Sequence, residues 1–293
     1  AHSVILDFVF MAAHRFGEPI KPMKLLSRSL VVLSASVALS QGVTLAYNND
    51  FSGTGDNTAF PAETTDARWV LDPSGVYRNS YTTTGLVVSS ASIPITNAAN
   101  TNFVLETRFT ITSVASAMAG GGTNTMGFGA FGLDSAFTGT NTGNSFYLAD
   151  FAFQRGSTAT TTEGRLRILA QGDAGGFNAV EGAADANGAS STLAISLNTT
   201  YILRLTGTYS GSTLSLALGL FDENGTQIGT SATATDTSAL TGTNFGLRNR
   251  TELTTGSTAV TIDYDNFSMV PEPSSLLLMA GSLGSLLILR RRN

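Results

Sequence analysis

NFVLETRFTIT, residues 102–112, alternates without a break. Phe103, Leu105, Thr107, Phe109 and Ile111 fall on one side, and Val104, Glu106, Arg108 and Thr110 on the other. A period of two is the mark of a half-buried β-strand, and the β-branched and aromatic residues favour that state. The pattern recurs on both sides. SFYLADFAFQ (145–154) sets Phe146, Leu148 and Asp150 against Tyr147, Ala149, Phe151 and Phe153. GRLRILAQ (164–171) sets Leu166, Ile168 and Ala170 against Arg165, Arg167 and Leu169. YILRLTGTYS (201–210) and TLSLALGLF (213–221) continue it, and Asn224-Gly225 in FDENGTQIG marks a hairpin turn between two strands. AVTIDYDNFSMV (259–270) closes the series, with Val260, Ile262 and Tyr264 on one side and Asp263 and Asp265 on the other. Roughly a dozen such runs without intervening helical periodicity predict antiparallel sheets, and a two-sheet β-sandwich buries one face of each. The Gly/Asn/Ser/Thr-rich stretches 117–127, 138–144 and 172–190 are expected as surface loops.

Composition narrows the chemistry. The chain has 293 residues, 42% hydrophobic, enough for a core, but only 13% charged. Thr, Ser, Asn and 31 Gly fill the difference, a mixture suited to short strands and turns. The net charge of -5 gives no electrostatic reason to bind nucleic acid. Both histidines (His2, His14) and both lysines (Lys21, Lys24) lie near the N-terminus, and there is no cysteine. A mature chain lacking that region has no Ser-His-Asp triad, Cys nucleophile, Schiff-base lysine or His/Cys zinc site. Carboxylates, Arg, Tyr and hydroxyls remain.

The N-terminal region reads as a targeting segment. From Met23, Lys24 and Arg28 form a positive region, Leu30–Leu39 an apolar run, and Thr44 and Ala46 precede a cleavage point between Ala46 and Tyr47. A second candidate ends at Ser40. Residues 1–22 precede this layout and read as an over-extended start; an unusually long leading region is the alternative.

NDFSGTG (49–55), RWVLDPSGVYRNS (68–80), FVLETRFTI, GFGAFGL (127–133), GRLRILAQ, the 201–218 pair and the closing IDYDNFSMV together resemble a concanavalin-A-like (laminin-G-like) jelly-roll domain over most of residues 47–270. That resemblance implies a two-sheet jelly-roll β-sandwich. It covers carbohydrate-binding modules, glycoside hydrolases and adhesion domains, so fold alone does not set function.

The candidate sites are weighed against that background. Retaining glycosidases of this fold carry an E-x-D-x-x-E strand whose carboxylates stand about 5 Å apart. No such arrangement occurs; Glu106 is followed by Arg108, and Asp263 and Asp265 lack a third acid. No catalytic residue and no resident cofactor is expected. The resemblance raises calcium, with Asp134, Asn141, Asn144, Asp173 and Asn178 as available oxygen donors, but their spacing matches no tight motif and FDENG reads as a turn. For sugar stacking, Trp69 is expected in the core, and Tyr77, Tyr81 and Phe177 are weaker options. Arg248 and Arg250 in GLRNR suit either a carboxylate ligand or acids on the sheet.

The C-terminus carries the sharpest signal. Pro271, Glu272 and Pro273 are followed by the uncharged SSLLLMAGSLGSLLIL, about 24 Å long as a helix, and then Arg290, Arg291 and Arg292. The arginines fit a cytoplasmic end, and a plain membrane anchor is the simpler alternative. The ordered triplet, apolar segment and Arg cluster resemble a PEP-CTERM sorting domain. That resemblance implies recognition by an exosortase-type membrane transpeptidase, cleavage near the triplet, and release or attachment at the cell surface among exopolysaccharide and biofilm matrix. The expected organisation is a start region (1–22), signal peptide (23–46), β-sandwich (47–270) and sorting segment (271–293). The expected function is an exported, non-catalytic surface or matrix protein that binds polysaccharide. The alternatives are a divergent glycan hydrolase or lyase and a purely structural matrix protein.

Overall fold

Alternation along 102–112 is realised as a strand, β5 (Phe103–Ser113), whose odd-numbered residues are buried from Phe103 to Ile111. A computed structural model describes residues 47–51, 68–82, 84–95, 101–114, 124–137, 143–155, 161–171, 177–180, 192–253 and 259–271. Sixteen strands and no helix lie among them, in two antiparallel sheets. The signal segment, Ala46, Glu272, Pro273, the apolar C-terminal run and Arg290–Arg292 lie outside the described residues.

The first sheet has nine strands: β1 (Tyr47–Asn49), β2 (Trp69–Asp72), β3 (Val76–Tyr81), β5, β11 (Thr200–Ser210), β12 (Thr213–Asp222), β13 (Gln227–Asp236), β15 (Val260–Tyr264) and β16 (Phe267–Pro271). Its main path runs β13-β12-β11-β5-β15-β3-β2. The second sheet has seven: β4 (Gly85–Pro94), β6 (Asn124–Gly132), β7 (Phe146–Arg155), β8 (Thr161–Gln171), β9 (Phe177–Ala179), β10 (Leu193–Ser196) and β14 (Asn244–Leu253). Its path runs β10-β8-β7-β6-β14-β4, with β9 on β8.

The closing stretch, expected as one strand, is two. Asp265 and Asn266 break it: Asp265 N donates to the Arg108 carbonyl, and Asn266 Oδ1 accepts from Arg108 N at 2.7 Å. Thr107, the one polar residue on the buried side of β5, donates its hydroxyl to the Asn266 carbonyl. Both halves pair with β5. The second half runs through Pro271, opposite Phe103, one residue past the end expected for the sandwich. Proline offers no donor and is tolerated at such a strand end. Tyr47 pairs with Met269, so the first described strand lies beside the last.

Between the sheets, one large apolar cluster collects the inward residues of both, including Phe103, Leu105, Phe109, Phe128, Phe131, Tyr147, Phe151, Leu203, Leu216, Phe245 and Leu247. A register shift between Asn244 and Gly246, opposite β6, coincides with a left-handed Phe131 (φ 56°). The bulge brings Ala130 and Phe131 both inward. Phe131 then stacks edge-on with Phe245 at 4.8 Å and Phe103 at 5.3 Å. Trp69 is buried as expected, stacked on Tyr77 at 4.9 Å.

A polar bridge crosses the same core. Tyr264 donates its hydroxyl to Asn249 Oδ1 at 2.6 Å, Asn249 Nδ2 donates to Asn79 Oδ1 at 2.8 Å, and Asn79 Nδ2 donates to Ser89 Oγ at 3.1 Å. Ser89 also shares a hydrogen bond with the Tyr81 hydroxyl. Asn79, Tyr81 and Tyr264 belong to the first sheet, and Ser89 and Asn249 to the second, so the bridge fixes how the layers register. Burial raises the Tyr264 phenol well above its ordinary range. Burial also raises the Tyr147 phenol, with the Asp236 carboxylate adding to it. A raised folded pKa leaves stability intact below the unfolded value, about 10 for tyrosine, and removes it as pH rises further. Equilibrium unfolding is therefore expected to show a plateau on this account up to about pH 10 and a fall above it, less steep in Tyr264→Phe.

Candidate functional site

Strand parity sorts the polar side chains onto two outer faces with different chemistry. On the first sheet, Arg204 lies directly opposite Glu106 in the register and bonds it at 2.7 Å. Arg78 lies opposite Asp263 and holds both its oxygens, at 2.7 and 2.8 Å, while also reaching Asp72 at 2.8 Å. That bidentate pair raises the Arg78 pKa against the opposing pull of burial. Arg108 reaches Glu223 at 3.9 Å. Cross-strand ion pairs of this kind tie a sheet together and leave little charge for a ligand. Asp263 is thereby held in a salt bridge, and Asp265 is exposed at the strand break.

On the second sheet, Phe245, Leu247 and Asn249 of β14 point inward, which turns Gly246, Arg248, Arg250 and Glu252 outward. Register then assembles residues remote in sequence into rows across β4, β14, β6, β7 and β8. One row reads Ser90, Arg248, Gly127, Asp150, Arg167. The next reads Val88, Arg250, Thr125, Ala152, Arg165. On the other side lies Ser92, Gly246, Gly129, Leu148, Leu169.

The segment 133–137 covers that last row. Phe137 sits on Gly129, where an added Cβ would lie 2.3 Å from its ring, and packs with Phe146, Leu148 and Leu169 in a second small apolar cluster. Asn144 braces the segment: its Oδ1 accepts from Asp134 N at 3.0 Å, and its Nδ2 donates to the Ala136 carbonyl at 2.6 Å. Ser92 Oγ donates to the Ser135 carbonyl at 2.7 Å, and Phe137 N donates to Ser90 Oγ at 3.2 Å. Arg248 Nε donates to the Phe137 carbonyl at 2.5 Å.

Arg248 is therefore not a surface arginine: it is 1% exposed and pinned to this segment. Burial pushes its pKa down to about 10, with Asp150 the strongest opposing influence. Asp150 is fully buried and accepts from Arg167 Nε at 2.9 Å and Nη2 at 2.8 Å. Burial alone would lower the Arg167 pKa, but that carboxylate holds it above its ordinary value. Two guanidinium groups thus share one buried carboxylate, and the row keeps a net positive charge.

The row beyond is more open. Arg165 is exposed, faces Ala152 and has no ion-pair partner among the described residues. Arg250 faces Val88 and Thr125 and has a 3.4 Å contact with Glu252 on its own strand. Thr125 between them is buried, and its hydroxyl has no hydrogen-bond partner among the described residues.

Several expected residues fall elsewhere. Tyr77 and Tyr81 are buried in the core and offer no stacking face to a sugar. Of the calcium donors, Asn144 and Asp134 serve the 133–137 segment, Asn178 is exposed on β9, and Asn141 and Asp173 lie outside the described residues. Among the described residues no group of three or more His, Cys, Asp or Glu could hold a metal ion. In FDENG, Asp222 Oδ1 accepts from Asn224 N at 3.0 Å and Thr226 N at 2.8 Å, and Gly225 is left-handed (φ 83°), so the stretch is a hairpin turn. The expected loop 117–127 in fact enters strand β6 at Asn124. A Cβ on Gly127 would stand 2.2 Å from the Ala149 carbonyl oxygen, so the glycine is there for close strand approach. The side chain of Phe177 lies outside the described residues, as do the sorting and cleavage residues other than Tyr47 and the backbone of Pro271.

No protein-family model matches the chain, and comparison with curated proteins finds no match. Among solved structures it is similar to the Emp47p carbohydrate recognition domain, with 10% identity, 80% of this chain and 99% of that one covered, and a TM-score of 0.46. It is similar to lectin I from Ulex europaeus, solved with the methyl glycoside of α-L-fucose, at 16% identity over 76% of this chain and 95% of that one, with a TM-score of 0.40. It is also similar to an engineered GH43 glycoside hydrolase, at 12% identity over 80% of this chain and 42% of that one, with a TM-score of 0.45.

Proposed function

We propose that the chain is an exported cell-surface or matrix protein whose jelly-roll β-sandwich binds polysaccharide without cleaving it, and that an exosortase-type membrane transpeptidase sorts it through the C-terminal segment. One observation supports the binding part above the others. The outer face of the second sheet is floored by Gly127, Thr125 and Ala152 and flanked by Arg165 and by Arg250, which also contacts Glu252 on its own strand at 3.4 Å. Small floor residues allow close approach of a chain-like ligand, and arginine forks supply directional hydrogen bonds. The sorting part is carried by the sequence order Pro271-Glu272-Pro273, uncharged segment, Arg290-Arg291-Arg292.

Two experiments test this reading. Replacing Glu272 with Ala is expected to block processing and leave full-length protein in the membrane fraction of the producing cell. Normal processing of that variant removes the sorting proposal. On polysaccharide arrays the purified protein is expected to be retained with no release of reducing ends. Release that disappears in an Asp263→Ala, Asp265→Ala double variant favours the hydrolase or lyase reading instead.

A further inference from the structure

The last strand of the sandwich is held unequally along its length. β16 pairs with β1 on one side and with β5 on the other, and Met269 lies opposite both Tyr47 and Leu105. Beyond it, Val270 and Pro271 face Val104 and Phe103 of β5, and among the described residues no strand flanks them on the other side. Phe267 and Met269 are buried in the core, whereas Val270 is half-buried on the outer face. Pro271 is at once the last residue of this ladder and the first of the Pro-Glu-Pro triplet, so no spacer separates the sheet from that motif. An extended peptide is held by a partner through its backbone N–H and C=O groups, and on one edge of β16 those groups already serve β5.

We propose, resting on the sorting reading above, that the end of β16 controls processing: Val270 and Pro271 must separate from Val104 and Phe103 before the triplet is bound and cut, and the opening stops at Met269. Separating two residues at a strand end moves no core side chain of β16, and such local opening is the least costly motion of a sheet. Opening one residue further would draw Met269 out of the core and break its pairing with both Tyr47 and Leu105. The rate of processing therefore follows how often this strand end opens, and the domain keeps β16 whole through Met269 after the cut.

The chain has no cysteine, so an introduced pair forms one defined disulfide. Antiparallel partners stand about 4.5–5.5 Å apart at Cα, within the reach of that bond. Val104→Cys with Val270→Cys locks the strand end shut. Thr206→Cys with Ala217→Cys locks β11 to β12, which processing has no need to open. Full-length precursors are followed in the membrane fraction of the producing cell, with and without a thiol reductant. The oxidised 104–270 variant is expected to be processed about tenfold or more slowly than the native chain, with the rate restored by reductant. The 206–217 variant and each single substitution are expected to keep the native rate. Inserting Gly-Gly-Ser-Gly between Val270 and Pro271 supplies the missing spacer; it is expected to restore processing of the oxidised 104–270 variant and to speed that of the native chain several-fold. Equal rates for the oxidised and reduced 104–270 variant, or equal slowing by the 206–217 lock, overturn the proposal while the sorting reading stands. If the double variant does not fold or oxidise, the insertion in the native chain decides alone, and an unchanged or slower rate overturns the proposal. Normal processing of Glu272→Ala overturns both.

Discussion

Asp150→Ala is expected to lower unfolding free energy by about 3–5 kcal/mol, because it strands buried positive charge. Asp150 has no exposure, and it is the one carboxylate serving both Arg167, at 2.8 and 2.9 Å, and the buried Arg248. Removing it takes away the carboxylate that opposes the burial of Arg248, whose Nε donates to the Phe137 carbonyl. Replacing Arg248 with Met in the same background is expected to recover much of the loss, since no uncompensated charge then stays inside. Urea unfolding of the two variants measures both effects. A loss below about 1 kcal/mol for Asp150→Ala would mean that the row is not held by charge.

Asn249→Leu is expected to cost about 2–5 kcal/mol, as two buried polar partners lose their bonds at once. Its side chain is the single link between Tyr264 on the first sheet, at 2.6 Å, and Asn79, at 2.8 Å. The leucine is apolar and of similar size, so the loss reports the stranded Tyr264 hydroxyl and Asn79 amide rather than a cavity. Tyr264→Phe, which removes one bond and leaves the Asn249–Asn79 bond in place, is expected to cost about 1 kcal/mol. The difference between the two variants, measured by urea unfolding, separates a bridge from a single hydrogen bond.

Much of the framework was legible because burial on one side writes a period of two into a strand. Residues 102–112 are the clearest case, and 164–171 place Arg165 and Arg167 on the side opposite Leu166 and Ile168, as expected. Strand β7 was read with the right parity, but both its sides are buried from Phe146 to Phe153. The segment 133–137 covers part of its outer side, and no local pattern in 145–154 announces that cover. The start of β6, residues 124–127, falls in a Gly-rich stretch expected as a loop, whereas GFGAFGL (127–133) reads as a strand. Gly129 is small because Phe137, eight residues on, lies across it. The candidate site was the least legible part. Arg248 and Arg250 stood out in the sequence, yet their neighbours Gly127, Asp150 and Arg167 come from other strands, brought together by register alone. No motif spacing encodes such a row. The break of the closing stretch at Asp265-Asn266 was equally hidden, since it depends on hydrogen bonds to Arg108.

Hydrogen–deuterium exchange of the protein with and without saturating oligosaccharide from a bound polysaccharide tests the central claim most directly. Protection is expected in peptides from β8, β6 and β14, the strands that carry Arg165, Thr125 and Arg250. Protection confined to β11, β12 and β13 on the opposite sheet, or none at saturation, would contradict it.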